Sequence, residues 1–227
     1  HRLVLERSPV REGDLLNRER IDRRVHFLNR SPSRRVDVGI GPTGQAGEVV
    51  VDYMITEPKP WLIYGQVSNT GTQPTDDWVY RLGLIHNQLS GRDDVLQFDY
   101  TTAGFGDSHA LFASYERPFG SNECVRWKVY GGWNEYTASD VGFVGFDFKG
   151  EGYQAGGEVA WNVWQDGAAF LDLVGGARYQ HVSVNNELSF TMGSSGFLLP
   201  YVGVRGERVT PVHSLLAELM LETNLSG

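Results

Sequence analysis

The chain has 227 residues and a formal charge of −8, with 41% hydrophobic residues and a mean hydropathy of −0.31. No run approaches the roughly 18 apolar residues that a membrane-spanning helix needs, so helical spanning is excluded; strands that cross a bilayer alternate and average to mild hydropathy, so a barrel is not. Twenty-eight Gly, ten Tyr, eleven Phe and six Trp suit a β-barrel or a β-sandwich, and the single Cys124 excludes an internal disulfide. The opening HRLVLE has no apolar leader region, so a cytosolic or trimmed chain is expected.

The net charge conceals a division. Residues 1–35 hold ten arginines (2, 7, 11, 18, 20, 23, 24, 30, 34 and 35) against five acids, about +5, which leaves about −13 for the rest. Such asymmetry points to two modules. Nucleic-acid binding is not expected, because no helix-turn-helix or RNP-like sequence occurs and the acidic remainder would repel phosphate.

Residues 3–7 form a short candidate strand, followed by a turn in SPVREGDLL. Asn17 is placed to cap a helix in which Ile21, Val25 and Leu28 recur at helical spacing, and Pro32 ends it. RRVDVGIGP alternates as a strand, TGQAG turns, and EVVVDYMITE is a second strand. Pro58-Lys59-Pro60 then breaks the chain, and the period becomes two. Strands are expected at 61–69, 78–87, 95–103, 110–118, 125–136, 152–164, 168–184, 197–209 and 214–223, separated by turns such as QLSGRDD and QDG. The segment SDVGFVGFDFKGEG is ambiguous.

Nine or ten strands of mostly 9–13 residues exceed the five or six usual in soluble sheets and match the 9–11 of a tilted membrane strand. One face is apolar. The other carries Gln66, Arg81, Gln97, Asp99, Arg126, Lys128, Glu158, Asn162, Asp172, Arg178, Gln180, Arg205, Glu207, Glu218 and Glu222. A sandwich would show that face to solvent, whereas a barrel would turn it inward. Strand length, and aromatic residues near strand ends (Trp61, Trp78, Tyr136, Trp164), favour the barrel.

The ordered series of motifs resembles a known family. REGDLLNRERIDRRVHFLNRSPSRRVDVGIGPTGQAGEVVVDYMITEPKPW resembles the last POTRA domain of a two-partner secretion outer-membrane transporter of the haemolysin-activator type. The features are LNRSP at 28–32, VDVGIGPTGQAGEVVV and the Glu-x-x-Pro-Trp junction at 57–61. VSNTG at 67–71 is similar to that family's Asn-x-Gly first turn. IHNQLSGRDDVLQFDY at 85–100 is similar to its Asn-Pro-Leu-Gly-x-x-Asp hairpin, with Gln88 in place of Pro. The family's barrel of about sixteen strands and its Val-Arg-Gly-aromatic loop are not matched, since GVRGERV at 203–209 reads as strand; an internal piece of a larger transporter is therefore expected.

The resemblance implies a fold and a function. The fold is mainly β, an antiparallel transmembrane barrel, here partial, behind a small α+β domain. Residues 1–57 would be a periplasmic POTRA-like domain, 58–60 a hinge, and 61–227 the first part of an outer-membrane barrel. The domain would capture an unfolded secreted exoprotein by β-augmentation, and the pore would export it without ATP. The client-binding residues implied are Arg23, Arg24, Arg34, Arg35, Val36, Asp37, Val38 and Ile40, the arginines favouring acidic clients. Gln66, Arg81, Gln97, Asp99, Arg126, Lys128, Glu158, Asp172, Arg178, Arg205 and Glu218 would line the pore. The lipid bilayer is the other partner; no cofactor, metal or small-molecule substrate is expected. The alternatives are a barrel-assembly insertase, a passive porin, or a soluble carbohydrate-binding β-sandwich.

Nothing in the sequence argues for an enzyme. GSSG at 193–196 lacks the spacing of a nucleophile elbow and reads as a loop. His1, His26, His86, His109, His181 and His213 are scattered, without metal-ligand spacing. Asp76-Asp77 and Asp93-Asp94 sit in turns, where carboxylates satisfy local backbone donors.

Overall fold

The computed structural model describes residues 2–71, 76–106, 108–120, 122–141, 146–186, 191–210 and 212–225. Two short helices come first, α1 (Arg2–Glu6) and α2 (Arg18–Leu28), then a two-stranded antiparallel sheet of β1 (Arg35–Pro42) and β2 (Val49–Thr56). The remaining strands are β3 (Trp61–Ser68), β4 (Val79–Asn87), β5 (Val95–Ala103), β6 (Ser108–Phe119), β7 (Asn122–Val141), β8 (Phe146–Asp166), β9 (Ala169–Asn186), β10 (Thr191–Val209) and β11 (Ser214–Glu222). They form one nine-stranded meander in chain order, whose end strands β3 and β11 do not pair with each other.

The first element differs from expectation. Residues 3–7 are helical, because three apolar residues in a row carry no period, and Arg7 N–H closes a helical turn onto the Leu3 carbonyl. Val4 thereby joins Leu28 and Val36 in a buried cluster, with Tyr53 and Ile55 packed against it. The α2 start is as read: Asn17 is extended, and its side-chain oxygen accepts from Arg20 N–H at 3.0 Å.

The meander has two chemically opposite faces. Residues directly opposite in an antiparallel pair share a face. The row Ile63, Leu84, Phe98, Ala113, Gly131, Ala155, Tyr179, Leu198 is therefore continuous across eight strands. This apolar face lies open. Ile63, Val202 and Leu221 are 59%, 60% and 71% exposed, and no second sheet covers them among the described residues. A sandwich needs that cover, so the sandwich alternative does not fit this arrangement. A face of large exposed apolar side chains suits lipid.

Strands β7, β8 and β10 run 19–21 residues, well beyond the 12 or 13 expected of them, and β9 runs 18, close to its expected span. Their outward apolar stretch is shorter. On β7 it covers Val125 to Trp133 and then gives way to Glu135; on β8 it runs from Trp161 to Tyr153 and then meets Glu151. About nine residues is the length that a tilted strand needs to cross a bilayer, and the rest of each strand continues past this apolar stretch. The ambiguous segment supplies the ends of β7 and β8, with residues 142–145 outside the described ones. Gly193–Gly196 is also strand, part of β10, and not a loop. Of the expected interface aromatics, Trp61 and Trp164 face outward. Trp164 does so because the register shifts between Asn162 and Trp164 and turns it to the face of its partner Leu171. Tyr136 is the exception: it sits opposite Gly150 on the inner face, with its ring over that glycine.

Tyrosine laid over glycine recurs on the inner face. A Cβ on Gly83 would fall 2.1 Å from the Tyr64 ring, and one on Gly156 2.6 Å from the Tyr130 ring. Only a bare backbone lets the ring lie flat across the neighbouring strand. In the intact protein, Gly83→Val should displace Tyr64 and destabilise the barrel by about 1–3 kcal/mol. Gel mobility with and without heating reads this as a lower temperature for loss of the folded band. Tyr64→Ala made in the same chain should cost little further; fully additive losses would mean the ring and the glycine are independent.

Candidate functional site: the inner wall and the docked N-terminal unit

Every residue expected to line a pore shares one face. Gln66 lies opposite Arg81, Arg81 opposite Thr101, and Asp99 opposite Phe112. Lys128 lies opposite both Glu116 and Glu158, Arg178 opposite Gly156, and Arg205 opposite Asp172 and Glu218. Charges on this wall are paired. Asp99 accepts from Tyr64 Oη at 2.5 Å, Gln97 at 2.8 Å and Arg81 Nε at 2.9 Å. Arg126 donates to Glu116 at 2.5 Å. Arg205 bridges Glu158 at 3.0 Å and Glu218 at 2.7 Å, and Arg178 donates to Glu222 at 3.0 Å. Tyr201 donates to Glu158 at 3.2 Å and lies 3.3 Å from the Tyr130 hydroxyl. Among the described residues, Lys128 has no ion-pair partner. The wall between β3 and β8 encloses a concavity of ≈ 660 Å³.

The N-terminal unit seals one end of this wall. The β4–β5 turn presents Asp93, buried, with φ of 61°. Arg34, also buried, donates to both its carboxylate oxygens, at 2.5 and 2.6 Å, and Arg7 donates to it as well. Gln88 donates to Asp93 at 2.9 Å and to Ser33 at 2.8 Å. Arg7 and Arg24 both pair with the buried Glu123 at the start of β7, Arg24 at 2.8 Å. On the far side of the sheet Arg30 forks onto Asp172, at 2.6 Å, and Glu207, at 2.9 Å. Its guanidinium sits 4.4 Å from the centre of the Phe170 ring, which Phe27 meets edge-on at 5.9 Å.

The electrostatics follow. Burial works to raise the Asp93 pKa, but the hydrogen bonds and charges of Arg34 and Arg7 outweigh it and hold the carboxyl below its ordinary range. Asp94 is lowered differently: burial opposes, while the Ser90 N–H and hydroxyl and the Arg92 N–H favour the anion. So Asp94 and Asp76 satisfy local donors as expected, Asp76 accepting from Trp78 N–H at 2.7 Å, while Asp93 serves a long-range contact instead. Gln88 stands at φ 73°, a conformation closed to proline, so this turn departs from the Asn-Pro form of the resembled family.

The residues expected to meet a client separate into groups. Arg24 and Arg34 are engaged by the acids of the sheet. Arg23 pairs with Glu19 on the exposed face of α2 at 3.2 Å. Arg35 and Asp37 are exposed, 3.8 Å apart. Val36 is buried, and its N–H and carbonyl are both taken by the Asn29 side chain, at 2.7 and 2.9 Å. Backbone groups alternate along a strand, so those of Val38 and Ile40 point to the same open side. Sequence reading missed Arg7, Arg30, Asp93 and Glu123 as partners. The opposed charges of the two segments were the available signal.

No protein-family model matches the chain. Over 117 residues it is 29% identical to the outer membrane transporter CdiB-2 of Burkholderia pseudomallei, a match covering 49% of this chain and 20% of that protein. The fold is that of CdiB from Escherichia coli (TM-score 0.76, 16% identity, 100% of this chain and 43% of that one). CdiB from Acinetobacter baumannii is also similar (TM-score 0.68, 16% identity, 96% and 42%), as is BamA from Haemophilus ducreyi lacking POTRA domains 1–3 (TM-score 0.56, 16% identity, 99% and 46%). The chain spans less than half the length of these proteins. The resemblance to two-partner secretion transporters is borne out, and the relative from Burkholderia pseudomallei is named as a transporter, not an enzyme.

Asp93→Asn should leave Arg34 and Arg7 facing an uncharged group and release the N-terminal unit, at a cost of about 3 kcal/mol. Limited proteolysis at residues 57–60 of the intact protein reads this as faster cleavage. The pH dependence has a fixed sign. A carboxylate with a depressed folded pKa stabilises fully above its unfolded value, about 3.9, and loses that contribution as pH falls through the folded value. Cleavage should therefore accelerate only on acidification below the ordinary carboxylate range, and Asp93→Asn should abolish that step.

Proposed function

We propose that the chain is part of a two-partner secretion transporter of the outer membrane, which exports an unfolded exoprotein through its barrel without ATP. The observation that carries this is the single meander with an apolar outer face and a charge-paired inner wall, taken with a relative named as an outer membrane transporter. On this reading residues 1–57 are a POTRA-like domain in the periplasm, 58–60 link it to the barrel, and 61–227 begin the barrel of a haemolysin-activator-type protein. The client adds a strand beside β1, through the outward backbone groups of Val38 and Ile40, with Asn29 closing the edge at Val36. Backbone pairing gives affinity with little demand on client sequence, and Arg35 on the same strand draws acidic segments. Insertion of barrels, the second reading, has the BamA likeness in its favour, but the likeness to CdiB is closer.

Deleting residues 1–57 from the intact transporter should abolish secretion of its client. A sharper test is Val38→Pro, which removes one outward N–H while the inward bonds to β2 stay. Client binding should fall at least tenfold with the N-terminal unit still folded, whereas Gly39→Pro should unfold the hairpin. Full binding by a folded Val38→Pro protein would remove β1 as the docking edge; secretion that survives the deletion would remove the receptor role.

A further inference from the structure

The inner wall divides into two chemistries. Part of it is ionic and closed on itself, Arg126, Arg178 and Arg205 each taken by a carboxylate. The other part is amide: Gln66 on β3, Gln97 on β5, Asn134 on β7, Gln154 on β8 and Gln180 on β9, in cross-strand rows shared with the mutually paired Arg81 and Asp99 and, for Gln97, with Arg178. Gln154 and Gln180 face each other across the β8–β9 ladder, and Asn134 and Gln66 border the same concavity as Gln154. Gln97 donates to Asp99, which Arg81 already neutralises. The side chains of Gln66, Asn134, Gln154 and Gln180 have no hydrogen-bond partner among the described residues.

A primary amide carries one carbonyl acceptor and two N–H donors, the same kinds of group as a peptide bond, and does not titrate. An extended chain crossing the wall must keep its own N–H and carbonyl groups hydrogen-bonded, since each one left bare is costly. Charged side chains would select for sequence and hold too long. Amides offer weak, replaceable bonds, the condition for a path that admits and releases its passenger.

We propose that Gln66, Asn134, Gln154 and Gln180 form a backbone-reading path for an extended, unfolded polypeptide, which they recognise by its peptide groups and not by its side chains. This rests on the export reading above and adds the place and the chemistry of contact within the barrel. It follows that a client segment poor in side-chain features should cross as well as any other.

The test uses the intact transporter in a planar bilayer and a neutral Gly-Ser peptide, with current blockade as the readout. The same peptide with N-methylated backbone lacks the donors. Dwell time should be about tenfold shorter for the methylated peptide on the unaltered protein, the loss of one or two net hydrogen bonds. It should shorten similarly for the plain peptide when Gln66, Asn134, Gln154 and Gln180 are all replaced by Leu. Val129→Ala, on the outer face, should leave both unchanged. Equal dwell times for the two peptides on the unaltered protein would overturn the backbone path, and need no variant to fold. A protein that conducts ions but admits neither peptide would instead overturn the export reading itself.

Discussion

A carboxylate taken out of water must be paired, and Asp93 is the place where this chain meets that demand. Burying it alone would cost several kcal/mol. Arg34 and Arg7 reach it from the N-terminal segment, so the turn that ends β4 and the helices that precede β1 are stable only together. Glu123, Asp172 and Glu207 repeat the arrangement around the rim, engaging Arg7, Arg24 and Arg30. Four of the ten arginines in the first 35 residues, Arg7, Arg24, Arg30 and Arg34, meet acids of the sheet in one interface. The link at 58–60 is therefore not the only tie between the two parts; Gln165, for example, donates to the Arg23 carbonyl.

The wall beyond that rim obeys a different constraint. Over its apolar stretch one face of each strand carries almost no polar side chains, so they gather on the other, and there the charges must neutralise one another without a covering layer. Tyrosine over glycine and arginine between carboxylates both do this with groups from neighbouring strands. The result is a surface with few free charges among the described residues.

Much of this was legible in the sequence. The change of period after Pro60 marks the start of the meander, and β5 begins and ends where its alternation does. All eleven expected pore residues share one face, because a period of two leaves no freedom once register is set. Other features were hidden for physical reasons. The Leu3–Leu5 triplet has no period, so helix and strand could not be told apart. Strands β7 to β10 outrun their apolar stretch, because beyond the bilayer the pairing continues without a hydropathy signal. Tyr136 turned inward because its distance from Trp133 is odd, a parity that proximity to a strand end did not reveal. Asp93 was indistinguishable from Asp94 by composition; only the long-range approach of Arg34 separates a docking acid from a turn acid.

The most direct test of the account is a cross-link across the docking contact. In a Cys124→Ser background, Ser33→Cys and Gln88→Cys place thiols on the two sides of a contact now bridged by the Gln88–Ser33 hydrogen bond, within reach of a short bis-maleimide. In the intact protein in its native membrane, the account predicts that the reagent joins them rapidly and nearly completely. Failure to cross-link in a barrel that still shows a heat-modifiable folded band would contradict the claim that the N-terminal unit and the wall are one assembly.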